Sequence, residues 1–86
     1  MIKIVIGQRG WVWVGRYAEG GDQVVLTDAR CIRRWGTSKG LGELVGGPTA
    51  KTVLDPAGTV TVHRLGVVAS YEADPEAWDK VLGAPA

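Results

Sequence analysis

The sequence has no phenylalanine, one cysteine, one histidine and no apolar run long enough to cross a bilayer. A single cysteine, Cys31, excludes an intrachain disulfide and any cysteine-based metal cluster, and makes a reducing compartment the simpler home. The single histidine, His63, stands apart from any Ser, Cys or carboxylate pattern. It reads as a strand-surface or binding residue beside Arg64 rather than a general base. No ligand spacing suggests zinc, calcium or iron, so neither a metal nor a cofactor is expected. A formal charge of +1 removes the electrostatic case for wrapping long nucleic acid. The start, Met1–Ile6, is too short and strand-like for a signal peptide, so no membrane partner is expected.

With 86 residues the chain fits one domain, residues 1–86. A domain of this size buries only roughly 60–65% of the surface its unfolded chain exposes. A thin core favours self-association, so a homo-oligomer is expected, with Trp11–Val14 or the C-terminal helix near the interface. Valine and threonine abound, which favours strands. Ile2, Ile4 and Ile6 alternate with Lys3 and Val5 as a first strand. Trp11-Val12-Trp13-Val14 starts a second, both tryptophans on one face and both valines on the other. Being apolar on both faces, it must be covered on both, and Trp11, Trp13 and Trp78 read as core residues.

Glu19-Gly20-Gly21-Asp22 signals a hairpin leading into Gln23–Thr27. Asp28-Ala29 reads as a break or bulge. Cys31–Trp35 follows as a strand that sets Ile32 and Arg34 on one face and Cys31, Arg33 and Trp35 on the other. Cys31 reads as a small buried hydrophobe. Leu41, Leu44 and Val45 fit one helical turn with Ser38 as its cap. Asp55-Pro56-Ala57-Gly58 reads as a turn between Thr52–Leu54 and a strand over Thr59–His63, with Asp55 as a turn cap. Leu65–Tyr71 is a further strand with Gly66 as a bulge. Asp74-Pro75-Glu76 opens a short helix, 74–83, with Trp78, Val81 and Leu82 facing inward, and Ala84-Pro85-Ala86 reads as a frayed end. These elements predict a mainly β fold: a small antiparallel β-sandwich or partly closed barrel with a short C-terminal helix.

Chemistry concentrates in the Gly-rich loop 36–51 and the strand before it. Between Asp28 and Lys51 there are five cations and two anions, so the positive potential sits in the middle of the chain. Gly36, Gly40 and Gly42 allow close backbone approach to an anion, Thr37 and Ser38 offer hydroxyls, and Lys39 a mobile charge. Thr49, Lys51 and Thr52 would form a second wall. Arg33 or Arg34 would add a planar guanidinium, but as strand neighbours they cannot both enter one pocket of one subunit. Trp35 would stack on a base or ribose. The letters do not match the phosphate-loop order G-x-x-x-x-G-K-[ST], so a nucleotide hydrolase is not indicated. Each feature has a plainer counterpart: a connector that needs glycine to turn, arginines paired with Asp28, Glu43 or Glu72, and a tryptophan that fills a core.

The stretch from Val25 to Leu44, with Gly47-Pro48-Thr49 and Thr52–Asp55, resembles an uncharacterised family of small proteins encoded by phages and prophages. The shared elements are Trp-Gly-Thr (35–37), Gly-Leu-Gly-Glu (40–43), Gly-Pro-Thr (47–49) and Leu-Asp (54–55), within a likeness that runs from about Gly10 to Trp78. The resemblance implies a viral origin and the cytoplasm of an infected bacterium. Phages carry small β-rich oligomers, called sponges, that bind nucleotide signals of bacterial immunity without catalysis. The reading is therefore non-catalytic binding of a phosphorylated, nucleotide-like small molecule. The alternatives are an interaction protein that inhibits a host protein through the loop, and a single-stranded nucleic-acid binder.

Overall fold

A computed structural model describes residues 1–83 of the chain; the end read as frayed, 84–86, lies outside the described residues. The strands are β1 (Ile2–Gly7), β2 (Val12–Gly20), β3 (Gln23–Arg34), β4 (Val53–His63) and β5 (Val67–Glu72), and helix α1 is Pro75–Leu82. All pairings are antiparallel, in one sheet of order β4-β3-β2-β1-β5. The mainly β class with a short C-terminal helix is what the sequence predicts. The strands share a single sheet, which is not closed into a barrel.

Local chemistry explains most boundaries. Gly20 pairs with Gln23 across a two-residue turn in which Gly21 takes φ +57°, which favours glycine. At the expected bulge the β2–β3 register shifts between Val14 and Arg16, and Asp28 adopts φ +51°. Asp74 opens α1 by accepting from the Glu76 amide at 3.0 Å, Pro75 follows, and Gly83 closes it with φ +86°.

Asp55-Pro56-Ala57-Gly58 is not a turn. β4 runs through it unbroken, pairing Asp55 with Cys31, Pro56 with Arg30 and Gly58 with Ala29 across register shifts. Proline is tolerated there because β4 is an edge strand, with one side free of ladder bonds. Asp55 accordingly caps no turn and pairs with Arg33 instead. Gly66 lies in a 3-10 turn, Arg64–Gly66, that separates β4 from β5. His63 caps this turn, its Nδ1 accepting from the Leu65 amide at 3.1 Å.

Apolar side chains cluster on both faces of the sheet. On one face Ile2, Ile4, Val12, Val14 and Ile32 pack with Leu41, Leu44, Trp78 and Leu82, supplied by α1 and the 3-10 turn Leu41–Gly46. On the other, Val5, Leu26 and Ala29 pack with Trp13, Tyr17, Val60 and Val67. Val12 and Val14 of β2 are buried on the first face, and Trp13 is half-buried on the second. Trp11 departs from the core expectation: it is 56% exposed and stacks on Trp13.

Arg16 ties α1 to the bulge. Its Nε donates to Asp28 at 3.0 Å, its Nη1 to Asp79 at 2.7 Å and its Nη2 to the Gly83 carbonyl. These carboxylates, Asp79 first, raise the guanidinium pKa against the opposing effect of burial. Arg16→Met should lower stability by about 1–2 kcal/mol, because charge-assisted bonds to partly exposed carboxylates are lost. Arg64→Met serves as the control. Its pair with Glu19 is 3.8 Å long and exposed, so denaturant unfolding should register almost no change there.

Candidate functional site

After β3 the chain passes Trp35 and Gly36 and crosses close under residues 49–52. Gly36 lies at φ +67°, and a Cβ there would sit 2.3 Å from the Lys51 carbonyl carbon and 2.5 Å from the Thr52 nitrogen. Only glycine fits that crossing. Two hydroxyls lock it: Thr49 Oγ1 donates to the Gly36 carbonyl at 2.6 Å, and Thr52 Oγ1 donates to the Trp35 carbonyl at 2.6 Å. These hydroxyls also accept, Thr52 Oγ1 from the Thr49 amide at 2.8 Å and Thr49 Oγ1 from the Lys51 amide at 3.1 Å. Thr49 and Thr52 therefore build the site and have little hydrogen-bonding capacity left for a ligand.

The crossing leaves a groove of about 420 Å³ lined by Gly36, Thr37, Ser38, Glu43, Thr49, Ala50 and Lys51. That volume is in the range of small-molecule sites. The amides of Thr37, Ser38, Lys39 and Ala50 donate to no acceptor among the described residues, and the Thr37 hydroxyl is likewise unpaired there. Lys51 brings positive charge and Glu43 negative charge, the latter held by Ser38 Oγ at 3.3 Å. Ser38 is thus not a helix cap: the 3-10 turn starts at Gly40 without a side-chain cap.

The structure gathers five of the nominated residues into this groove: Gly36, Thr37, Ser38, Thr49 and Lys51. Lys39 and Gly40 follow them in an exposed stretch, and Gly42 lies in the 3-10 turn. Arg33 does not reach the groove. It pairs with Asp55, Nε to Oδ2 at 2.9 Å, and lines a different groove. Arg34 is exposed and outside the groove, and it forms no salt bridge among the described residues. Trp35 is 43% exposed and enters the site only through its carbonyl, so its ring is not a groove wall. Arg33 and Arg34 end β3 on opposite faces, and Trp35 follows the strand before the backbone turns under Lys51.

Glu43 and Ala50 are groove residues that the sequence does not single out. Glu43 carries a signal in retrospect, standing five residues after Ser38 with one helical turn between them, close enough to receive its hydroxyl. Cys31 is half-buried rather than fully buried, and burial pushes its thiol pKa up, with Asp55 adding to the effect. Among the described residues no group of three or more His, Cys, Asp or Glu side chains could hold a metal, and no helix is long and apolar enough to cross a membrane. The chain matches no protein-family model, and no curated protein is similar to it.

Proposed function

We propose that the protein binds a phosphorylated small molecule, without catalysis, in the groove between residues 36–38 and 49–51. The observation that carries this reading is the set of unpaired amides at Thr37, Ser38 and Ala50 beside Lys51. Backbone N–H groups held in a loop are effective phosphate ligands, and a lysine adds a mobile charge. The groove is lined by neither a histidine nor a cysteine. Glu43 disfavours a bare anion and offers an acceptor to a hydroxyl or amine. Together the two ends suit a phosphorylated sugar or nucleoside better than free phosphate. With the resemblance to phage proteins, we infer a nucleotide signal of bacterial immunity as the ligand and sequestration as the mode of action.

Thermal unfolding with pyrophosphate and with nucleoside monophosphates tests this. Ligand at about 100 times its dissociation constant should add roughly 2.7 kcal/mol of stability, raising the melting temperature with concentration. Lys51→Ala should remove most of the pyrophosphate gain without lowering the melting temperature of the free protein. Glu43→Gln should strengthen pyrophosphate binding and weaken nucleotide binding. A melting temperature indifferent to all these compounds, or a pyrophosphate gain unchanged in Lys51→Ala, contradicts the proposal.

A further inference from the structure

The second groove is larger, about 500 Å³, and carries the aromatic ring and arginines that the first lacks. Arg9, Trp11, Cys31, Arg33 and Asp55 line it. Its floor is fixed. Trp13 packs so closely over Gly7 that a Cβ there would come within 2.8 Å of the indole. Trp11 lies parallel to Trp13, 7° between planes and 6.0 Å between centroids, yet stays 56% exposed. A second planar surface is thus held against Trp13 and left open to solvent.

The cations are placed beside that surface. Trp13 pairs with Cys31, so the antiparallel register brings Arg33 next to Trp11 at the end of the ladder. Asp55 holds the Arg33 guanidinium with contacts at 2.9 and 3.4 Å, and Nη1 donates to no acceptor among the described residues. Arg9 forms no ion pair among the described residues and occupies a left-handed backbone conformation, φ +63°, followed by Gly10 at +79°. A bulky side chain at such a position is uncommon, and the strain is of the kind retained at binding sites. Two arginines against one aspartate leave the groove net positive.

We propose that this groove is a second binding site, for a heteroaromatic ring joined to an anionic group, the chemistry of a nucleoside monophosphate. The ring stacks on Trp11, and Arg9 with the free edge of Arg33 takes the anion. A basic peptide would meet like charge, and a purely apolar ligand would leave both arginines unused. The proposal does not rest on the reading of the Gly36–Lys51 groove, with which it shares no lining residue.

Cys31, the sole cysteine, lies in this groove and reports its occupancy. Alkylation of the thiol would be followed in mildly alkaline buffer, where a thiol of raised pKa still reacts. Adenosine or guanosine 5′-monophosphate should slow the reaction several-fold, with adenosine alone and inorganic phosphate alone each protecting less. Trp11→Ala should abolish the protection. Arg9→Asn, whose side chain tolerates the left-handed backbone, should weaken apparent affinity about ten-fold with no loss of melting temperature. Lys51→Ala should leave protection intact. An alkylation rate unchanged at millimolar nucleotide overturns the proposal, as does calorimetric binding without protection of Cys31. Protection lost in Lys51→Ala would overturn the claim of a separate site.

Discussion

Gly36→Ala should destabilise the protein by about 2–5 kcal/mol, from a left-handed backbone cost of about 1–2 and an overpacking cost of about 1–3. The added methyl would lie 2.3 Å from Lys51 carbon and 2.5 Å from both Lys51 oxygen and Thr52 nitrogen, all main-chain atoms that no rotamer change can move aside. Relief requires separating the two segments, which breaks the Thr49–Gly36 and Thr52–Trp35 hydrogen bonds and opens the floor of the groove. A domain of this size has a total stability of only about 4–13 kcal/mol, so the variant should unfold at far lower denaturant. Gly46→Ala is the matched control. Its added methyl meets nothing within 4 Å and its φ is not left-handed, so the change should stay within about 0.5 kcal/mol. Equal denaturation midpoints for the two variants would show that the crossing does not hold the loop.

Trp78→Ala should cost about as much, roughly 3–5 kcal/mol, for a different reason. The indole is fully buried between α1 and the sheet, and its Nε1 donates to the Leu44 carbonyl at 2.8 Å. Truncation leaves a cavity and removes one of the two hydrogen bonds to the Leu44 carbonyl, which keeps the Gly47 amide at 3.0 Å. Trp78→Phe separates the two, keeping most of the ring while losing the bond, whose loss should cost about 0.5–1.5 kcal/mol. Leu44 belongs to the turn that carries Glu43 into the groove, so Trp78→Phe should also weaken nucleotide binding while the protein remains folded. Denaturation curves together with the ligand-induced melting shift measure both effects. If Trp78→Phe unfolds like wild type and binds undiminished, the indole bond does not brace the site.

Local patterns made much of this fold legible. Alternating isoleucines, Gly20-Gly21 and Asp74-Pro75 each solve a short-range problem, and the chain does there what those residues favour. Asp55–Gly58 misleads because a turn signal and an edge-strand bulge use the same residues. The choice between them rests on Cys31, Arg30 and Ala29 on the facing strand. The face of Trp11 was legible from its spacing to Trp13, but its exposure was not: alternation gives the side, not how far the cover on that side extends.

The site divides in the same way. Gly36, Thr37, Ser38 and Lys51 declare an anion-friendly loop by composition. The fate of Thr49 and Thr52 depends on carbonyls 13 and 17 residues away, which no local spacing reveals. Arg33 shows the limit most plainly. Its nearness in sequence to Gly36 suggested one site, whereas the strand face sends it to Asp55 and Trp11.

An amide-resolved NMR titration of the full chain with pyrophosphate tests the central claim most directly. Hydrogen bonding to phosphate should shift the amide resonances of Thr37, Ser38 and Ala50 together, along one saturable curve that Lys51→Ala weakens. Those three amides staying fixed while other residues titrate, or no resonance moving at millimolar pyrophosphate, would contradict it.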